Sequence, residues 1–490
     1  MSENINIKSD EIKEIAHGQA VVEARQATDG ECKILSASAW AVTTPGEIFA
    51  GEIRYIGKVT FDCLVMIGGA IECITTVAEF SDKITSPEIY AGMNATLIPE
   101  VINVESSVDA GGVKLVAVVD TTALSVISRE YSCLSVPDEG VYAEKRPMEY
   151  MTASAALVET VYVTDSVAAG GASAVLCARA DIAMGGVSTA DDEVKVSGTV
   201  YTDAVVKDND GTVRGMRIAT PFAKSIAAHG VKDGDIAYAT AAVSDVSATC
   251  VDGRIETSAT VMIAVSAFES RTAEAVTDVF CSDYEIEPAR VTTVLQTCEP
   301  VKTVTDTVDG QIPIPADKPA ADNVVCVTGV FCTVSDIKSD GKIVAEGLVG
   351  GDIVYYNAEN NVYDTLAFRL PFGLPLAVHT DMKNIRASAT VTDIAVRVRR
   401  ESVFDIKAEV SFALEMSNET ECTVIESVKL GEELQRPDAS VIVHIAKPGE
   451  TLWQAAKALC CSPESVESQN AFAAPYSGGE RLVNFCARRK

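Results

Sequence analysis

A mainly β fold is predicted, as three tandem antiparallel β-sandwich-like domains followed by a small βααβ domain. Three observations predict it. One layout of glycine, aspartate, phenylalanine and an aliphatic residue recurs three times; period-two alternation runs through each copy; and from Val441 onward short strand and helix patterns replace it. The length of 490 residues, 47% of them apolar and 22% charged, supplies material for several packed cores.

The recurring residues are Gly57, Asp62, Phe80 and Ile84 in the first copy, Gly198, Asp203, Phe222 and Ile226 in the second, and Gly347, Asp352, Phe372 and Leu376 in the third. The phenylalanines lie 142 and 150 residues apart, so each copy has the size of a domain. The corresponding bounds are 20–133, 154–281 and 291–418. The repeated Phe is expected to anchor a core. The repeated Asp is expected at a hairpin-side hydrogen bond or on a solvated edge, because one carboxylate per domain falls far short of the roughly six to eight oxygens that calcium takes.

In the third copy Phe404, Ile406, Ala408, Val410, Phe412, Leu414 and Met416 alternate with mostly polar neighbours, which buries one face of a strand and wets the other. Ile255, Thr257, Ala259, Val261, Ile263 and Val265 do the same in the second. In the first, Val113, Leu115, Ala117 and Val119 stand opposite Val116 and Val118, which suits a strand covered on both sides. Gly68-Gly69, Gly111-Gly112, Asp210-Gly211 and Asp252-Gly253 suit the positive φ angles of tight hairpins, with Asn360-Asn361 and Arg400-Glu401 in the matching places of the third copy. The stretches 135–153, 282–322 and 419–440 lack clear periodicity and are expected to be exposed tethers.

Residues 441–490 differ in kind. They carry six Lys and Arg against four Glu, a net +2 that leaves −32 for the rest of the chain. Val441, Val443 and Ile445 alternate as a strand, and a Lys-Pro-Gly-Glu turn follows. Leu452, Ala455, Ala456 and Leu459 then form one helical stripe capped by Thr451. A second helix is expected from Ser462 and Pro463 to Asn470, with Val466 inward, and Leu482–Phe485 closes as a strand. Trp453 is expected in packing rather than as a sugar platform.

Charge and composition exclude several function classes. A net charge of −30, from 40 basic and 70 acidic side chains, offers no basic face for nucleic acid. Residues 1–10 lack the basic and apolar regions of a signal peptide, and no stretch approaches the roughly 18 apolar residues of a membrane span, so a cytosolic chain is expected. Fourteen cysteines without a C-x-x-C pair point away from zinc and from a disulfide framework, and most are expected to be small buried residues. His17, His229, His379 and His444 are scattered, without a nucleophile or a phosphate loop beside them, so neither enzymatic activity nor a cofactor is expected.

The run HIAKPGETLWQAAKAL with its later SPESVESQN and GGERL resembles the LysM domain. That resemblance implies two helices on one side of a two-stranded sheet, and recognition of N-acetylglucosamine-containing glycans such as peptidoglycan. The groove would comprise Gly449, Glu450, Thr451 and Leu452 on one loop and Asn470 on the other. Glu450 replaces the usual Asp, and Val483-Asn484-Phe485 the usual Ile-Pro.

Three β-rich copies with Pro221-Phe222 and Pro371-Phe372, Glu79-Phe80 in their place in the first copy, the phrase Val276-Thr277-Asp278-Val279-Phe280, and a terminal LysM together resemble the SPOCS-domain sporulation morphogenetic proteins of spore-forming Firmicutes. The resemblance implies a mother-cell scaffold at the forespore surface, in which the LysM docks on a SpoIVA-like coat-basement ATPase or another coat protein, or on glycan. Peptidoglycan binding in cortex or wall, and a self-associating surface or appendage subunit with pairing sheet edges, are the alternatives.

Overall fold

The computed structural model describes residues 3–28, 32–109, 112–339, 342–400, 402–434 and 441–485. Gly111, Glu401, Cys486 and the end of the 419–440 stretch lie outside the described residues. The chain is mainly β, built from small antiparallel sheets.

The first eighteen strands fall into three sets of six. The first set is β1 (Glu3–Gln26), β2 (Cys32–Phe49), β3 (Glu52–Ile67), β4 (Ala70–Thr85), β5 (Ala95–Asp109) and β6 (Gly112–Val136). The second is β7 (Val141–Ala168), β8 (Ala172–Ala190), β9 (Glu193–Asp208), β10 (Val213–Ala227), β11 (Ile236–Val251) and β12 (Arg254–Cys281). The third is β13 (Tyr284–Pro313), β14 (Asn323–Ser339), β15 (Ile343–Asn357), β16 (Val362–Leu376), β17 (Asn384–Arg399) and β18 (Val403–Glu433). All three share one connectivity: the second, third and fourth strands form a meander, and the sixth strand pairs between the first and fifth.

The two sheets of a set share a core, because alternate residues of each central strand point at the other sheet. Phe61 and Val59 meet Leu115 and Ala117 in the first set, and Val196 and Val200 meet Val261 and Ile263 in the second. Ile353 and Tyr355 meet Phe404 and Ile406 in the third. The alternating residues from Phe404 to Met416 are all buried, whereas Val116 and Val118 of the first set are only half-buried. Tight turns fall at the expected dipeptides, with φ of 59° and 86° at Gly68 and Gly69, and 49° and 74° at Asp252 and Gly253.

The recurring Gly and Phe are cross-strand partners. Gly57 faces Phe80, Gly198 faces Phe222 and Gly347 faces Phe372. In each pair the ring lies over the glycine, where a Cβ would sit 2.5, 2.9 and 2.6 Å from its nearest ring carbon. The phenylalanines are thus half-buried lids over the central strand rather than fully enclosed anchors, while Ile84, Ile226 and Leu376 are buried.

The three stretches expected to be tethers are largely strand. β7 runs unbroken from residue 141, β13 occupies 284–313 and β18 continues to 433. Pro147 and Pro288 stand within these ladders, opposite Glu274 and Val428. The ribbons β1/β6, β7/β12 and β13/β18 bury each other beyond the sheets, through Ile7 and Cys133, Met148 and Ala275, and Leu295 and Val424. Side chains there are covered by neighbouring ribbons as well as by their own sheet, so simple alternation is lost.

The three meanders also close on one another, with β4 against β8, β10 against β14 and β16 against β2. Leu64, Val205 and Val354 stand at matching positions of the three central strands and join one cluster with Leu35 and Val325. Their partners match as well: Ser36, Cys177 and Cys326 on one side, each after a bulge, and Cys73, Gly215 and Thr365 on the other. The sets form a ring of three like parts.

After β18 come β19 (Val441–Ile445), α1 (Leu452–Leu459), α2 (Pro463–Gln469) and β20 (Arg481–Phe485), with β19 and β20 antiparallel. Ala455, Ala456, Leu459, Val466 and Leu482 form the core of this terminal module. Among the described residues no helix is long and apolar enough to cross a membrane.

Candidate functional site

The turn into α1 holds four of the five expected groove residues. Gly449, at φ 77°, donates its N–H to the Tyr476 carbonyl at 2.8 Å, and the Glu450 carbonyl accepts from the Tyr476 N–H at 3.0 Å. Tyr476 lies on the loop after Asn470, so the two expected walls come together with these backbone groups bonded to each other. Glu450 is buried; its carboxylate accepts from the Lys447 N–H at 2.6 Å and lies 2.8 Å from His444 Nε2. Burial pushes the Glu450 carboxyl up, but these neighbours outweigh it and hold the group below its ordinary value.

Thr451 caps α1 by accepting from the Gln454 N–H, and the Gln454 side chain returns the bond to the Thr451 N–H. Leu452 begins the helix half-buried. Asn470 ends α2 and ties it to β20: its Nδ2 donates to the Val466 and Val483 carbonyls at 2.7 and 2.9 Å, and its Oδ1 accepts from the Val483 N–H at 2.7 Å. Glu450, Thr451 and Asn470 therefore serve closure of the module itself.

Two faces of the module point away from its core. One is docked on the strand ends of the ring. Trp453 packs edge-on against Phe280 with centroids 4.9 Å apart, and its Nε1 donates to Asp278 at 2.9 Å. Lys457 bridges to the same carboxylate at 2.7 Å, and Arg290 lies 3.6 Å from it. The other face is the outer side of β19 and β20, where Val441, Val443, Ile445 and Phe485 are 42 to 63% exposed. Asp278 and Phe280 were not expected as contacts of the module. The available signal was an aspartate set inside the apolar phrase Val276–Phe280, since such a carboxylate needs a cationic or N–H partner.

The repeated aspartates face the joints of the ring. Asp62 is buried and accepts from Thr75 at 2.6 Å; Asp203 takes two bonds from Arg217 at 2.8 Å each; Asp352 accepts at 2.8 Å from Ser36 of the first set. They sit on central strands rather than on solvated edges, and Asp62 and Asp203 make the expected hydrogen bond across their own hairpins. Burial pushes the Asp62 carboxyl up against the Thr75 bond and the Arg179 charge. Ionised Asp62 therefore reduces stability above the ordinary value of 3.8, and does so fully above its raised folded value. Asp62→Asn, which keeps an acceptor for Thr75, is expected to raise the unfolding midpoint at neutral pH and to lose that gain below 3.8. A lower midpoint at neutral pH would show that Asp62 serves as a needed ionic partner instead.

A cleft of about 390 Å³ where the three sets meet is bordered by Met93 and Leu124 of the first, Ala156 and Tyr238 of the second, and Arg386 and Glu415 of the third. Tyr238 Oη donates there to the Glu299 and Met416 carbonyls at 3.0 and 3.2 Å, and Arg386 pairs with Glu415. Compared with family models, curated proteins and solved structures, the chain matches none. Its function is therefore read from the module's two faces and the threefold ring beneath it.

Proposed function

We propose that this chain is a non-enzymatic scaffold of the SPOCS-domain type, in which three tandem β-sandwich-like units form a spacer and a LysM-like tip docks it to a partner during spore coat or envelope assembly. The thrice-repeated strand connectivity and the strand, helix, helix, strand order of the tip support this reading. Its place is the mother-cell side of the forespore surface.

The observation that selects among partners is the exposed apolar face of Val441, Val443, Ile445 and Phe485. Contiguous apolar surface of this kind suits a protein partner such as the coat-basement ATPase. Glycan recognition needs free hydrogen-bonding groups, whereas Gly449, Glu450 and Asn470 bond within the tip. The full chain is expected to retain the purified coat-basement ATPase in a pull-down, and Val443→Asp with Ile445→Asp to reduce retention at least tenfold. Retention of purified peptidoglycan, unaffected by these changes and released by N-acetylglucosamine oligomers, would establish the glycan reading instead.

A further inference from the structure

Each joint of the ring brings one strand of a meander against the first strand of the next, and the residues meeting there are known by position. At the joint of β10 with β14, Gly215 meets Cys326; a Cβ on Gly215 would lie 3.2 Å from the Cys326 Cβ. Disulfides span about 3.5–4.5 Å between Cβ atoms, so backbones at this joint approach within a few tenths of an ångström of that range. At the joint of β16 with β2 the matching residues are Thr365 and Ser36. At the joint of β4 with β8 they are Cys73 and Cys177.

We propose that Cys73 and Cys177 are an oxidation site at which a disulfide joins the first and second sets of the ring. Both thiols are free, half-buried and packed on one apolar cluster. The Cys73 side chain together with burial pushes the Cys177 thiol up, so Cys177 keeps its proton and is assigned the second, resolving step. Cys177 also lines a cleft of about 250 Å³, with Trp40, Thr60, Asp62 and Thr75, which brings a reagent as small as hydrogen peroxide to the pair, and Cys73 beside it is itself only half-buried. The nearby Cys63 and Cys326 thiols are each pushed up to about 12 by burial, which leaves them almost wholly protonated at neutral pH.

The chemistry balances with a peroxide as two-electron oxidant. The Cys73 thiolate attacks one peroxide oxygen, the O–O bond breaks, and the departing hydroxide takes a proton to become water. Sulfur of Cys177 then attacks the Cys73 sulfenic acid; the S–S bond forms, the S–O bond breaks, and the Cys177 proton leaves with the hydroxyl as a second water. Two thiols and one hydrogen peroxide give one disulfide and two waters.

The test is mass spectrometry of non-reduced peptides from the purified full chain after hydrogen peroxide. A Cys73–Cys177 cross-link is expected in the wild type and in Cys63→Ser, and its loss in Cys73→Ser. In Cys177→Ser, Cys73 is expected to stop as a sulfenic acid trapped by dimedone. The oxidised chain is also expected to unfold at a higher midpoint that returns to the starting value with dithiothreitol. Oxidation of Cys73 without linkage to Cys177 in the wild type, or peroxide-treated protein in which both remain thiols, would overturn the proposal.

Discussion

Gly347→Ala is expected to lower the stability of the chain by about 3 kcal/mol, the upper end of ordinary overpacking. Gly347 lies in the centre of the β14–β15–β16 meander, directly opposite Phe372. A Cβ there would sit 2.6 Å from Phe372 Cζ and press into the Thr333 carbonyl oxygen. The ring can turn aside, but the carbonyl is backbone of the neighbouring strand and moves only if the pairing opens. Adding Phe372→Leu is therefore expected to recover only part of the loss. Urea unfolding followed by circular dichroism reads the midpoint; no change for Gly347→Ala would mean that the ring and glycine do not constrain this sheet. Gly198→Ala, with its new Cβ 2.8 Å from the Ala183 carbonyl oxygen, is expected to show a smaller loss of the same kind.

Asp278→Ala is expected to release the terminal module from the ring. One carboxylate accepts from the Trp453 indole and Lys457 and lies beside Arg290, and its side chain is only 24% exposed. Removing it leaves the Trp453 N–H without its acceptor, and hydrogen bonds to a charged group contribute about 1.5–3 kcal/mol. Trp453 would leave its contact with Phe280 for water, so its fluorescence is expected to shift to the red while Trp40 reports the unchanged ring. Asp278→Asn retains an acceptor for the indole but no charge for Lys457, and an intermediate shift is expected. Unchanged emission in Asp278→Ala would show that apolar contact alone holds the module.

The same contact carries a pH signature. Burial pushes the Asp278 carboxyl up, but the bonds from Lys457 and Trp453 outweigh it and hold the group below its ordinary value of 3.8. Its contribution to docking is therefore complete above 3.8 and is lost as pH falls through the lowered folded value. Acid release read by Trp453 emission is expected in the wild type and absent in Asp278→Ala.

Strand periodicity, turns and helix caps were legible in the sequence because each depends on residues close along the chain. The alternation from Phe404 to Met416, the Asp252-Gly253 turn, and the caps Thr451 and Ser462 are of this kind. The ribbons read as tethers in the sequence because Met148 and Leu295 are covered by other sets rather than by a sheet partner alone. Cysteine burial was also overestimated: Cys63, Cys133, Cys281 and Cys326 are buried, and the other described cysteines are half-buried. Several of these line joints between sets, a position that composition does not reveal.

For the expected groove, the sequence placed Gly449–Leu452 on one loop and Asn470 before another, and the two loops do meet at Tyr476. It could not tell that their hydrogen bonds close on each other, because a polar group reads alike in sequence whether it faces a ligand or a neighbouring strand. By itself the sequence determined which residues repeat, which stretches alternate and where helices begin, all matters of short-range sterics and side-chain spacing. Only the tertiary structure decided that Phe372 covers Gly347, that Asp278 holds Trp453, and that Cys73 meets Cys177. Those contacts join residues 25, 175 and 104 positions apart, and they exist only after the sheets have paired and the ring has closed.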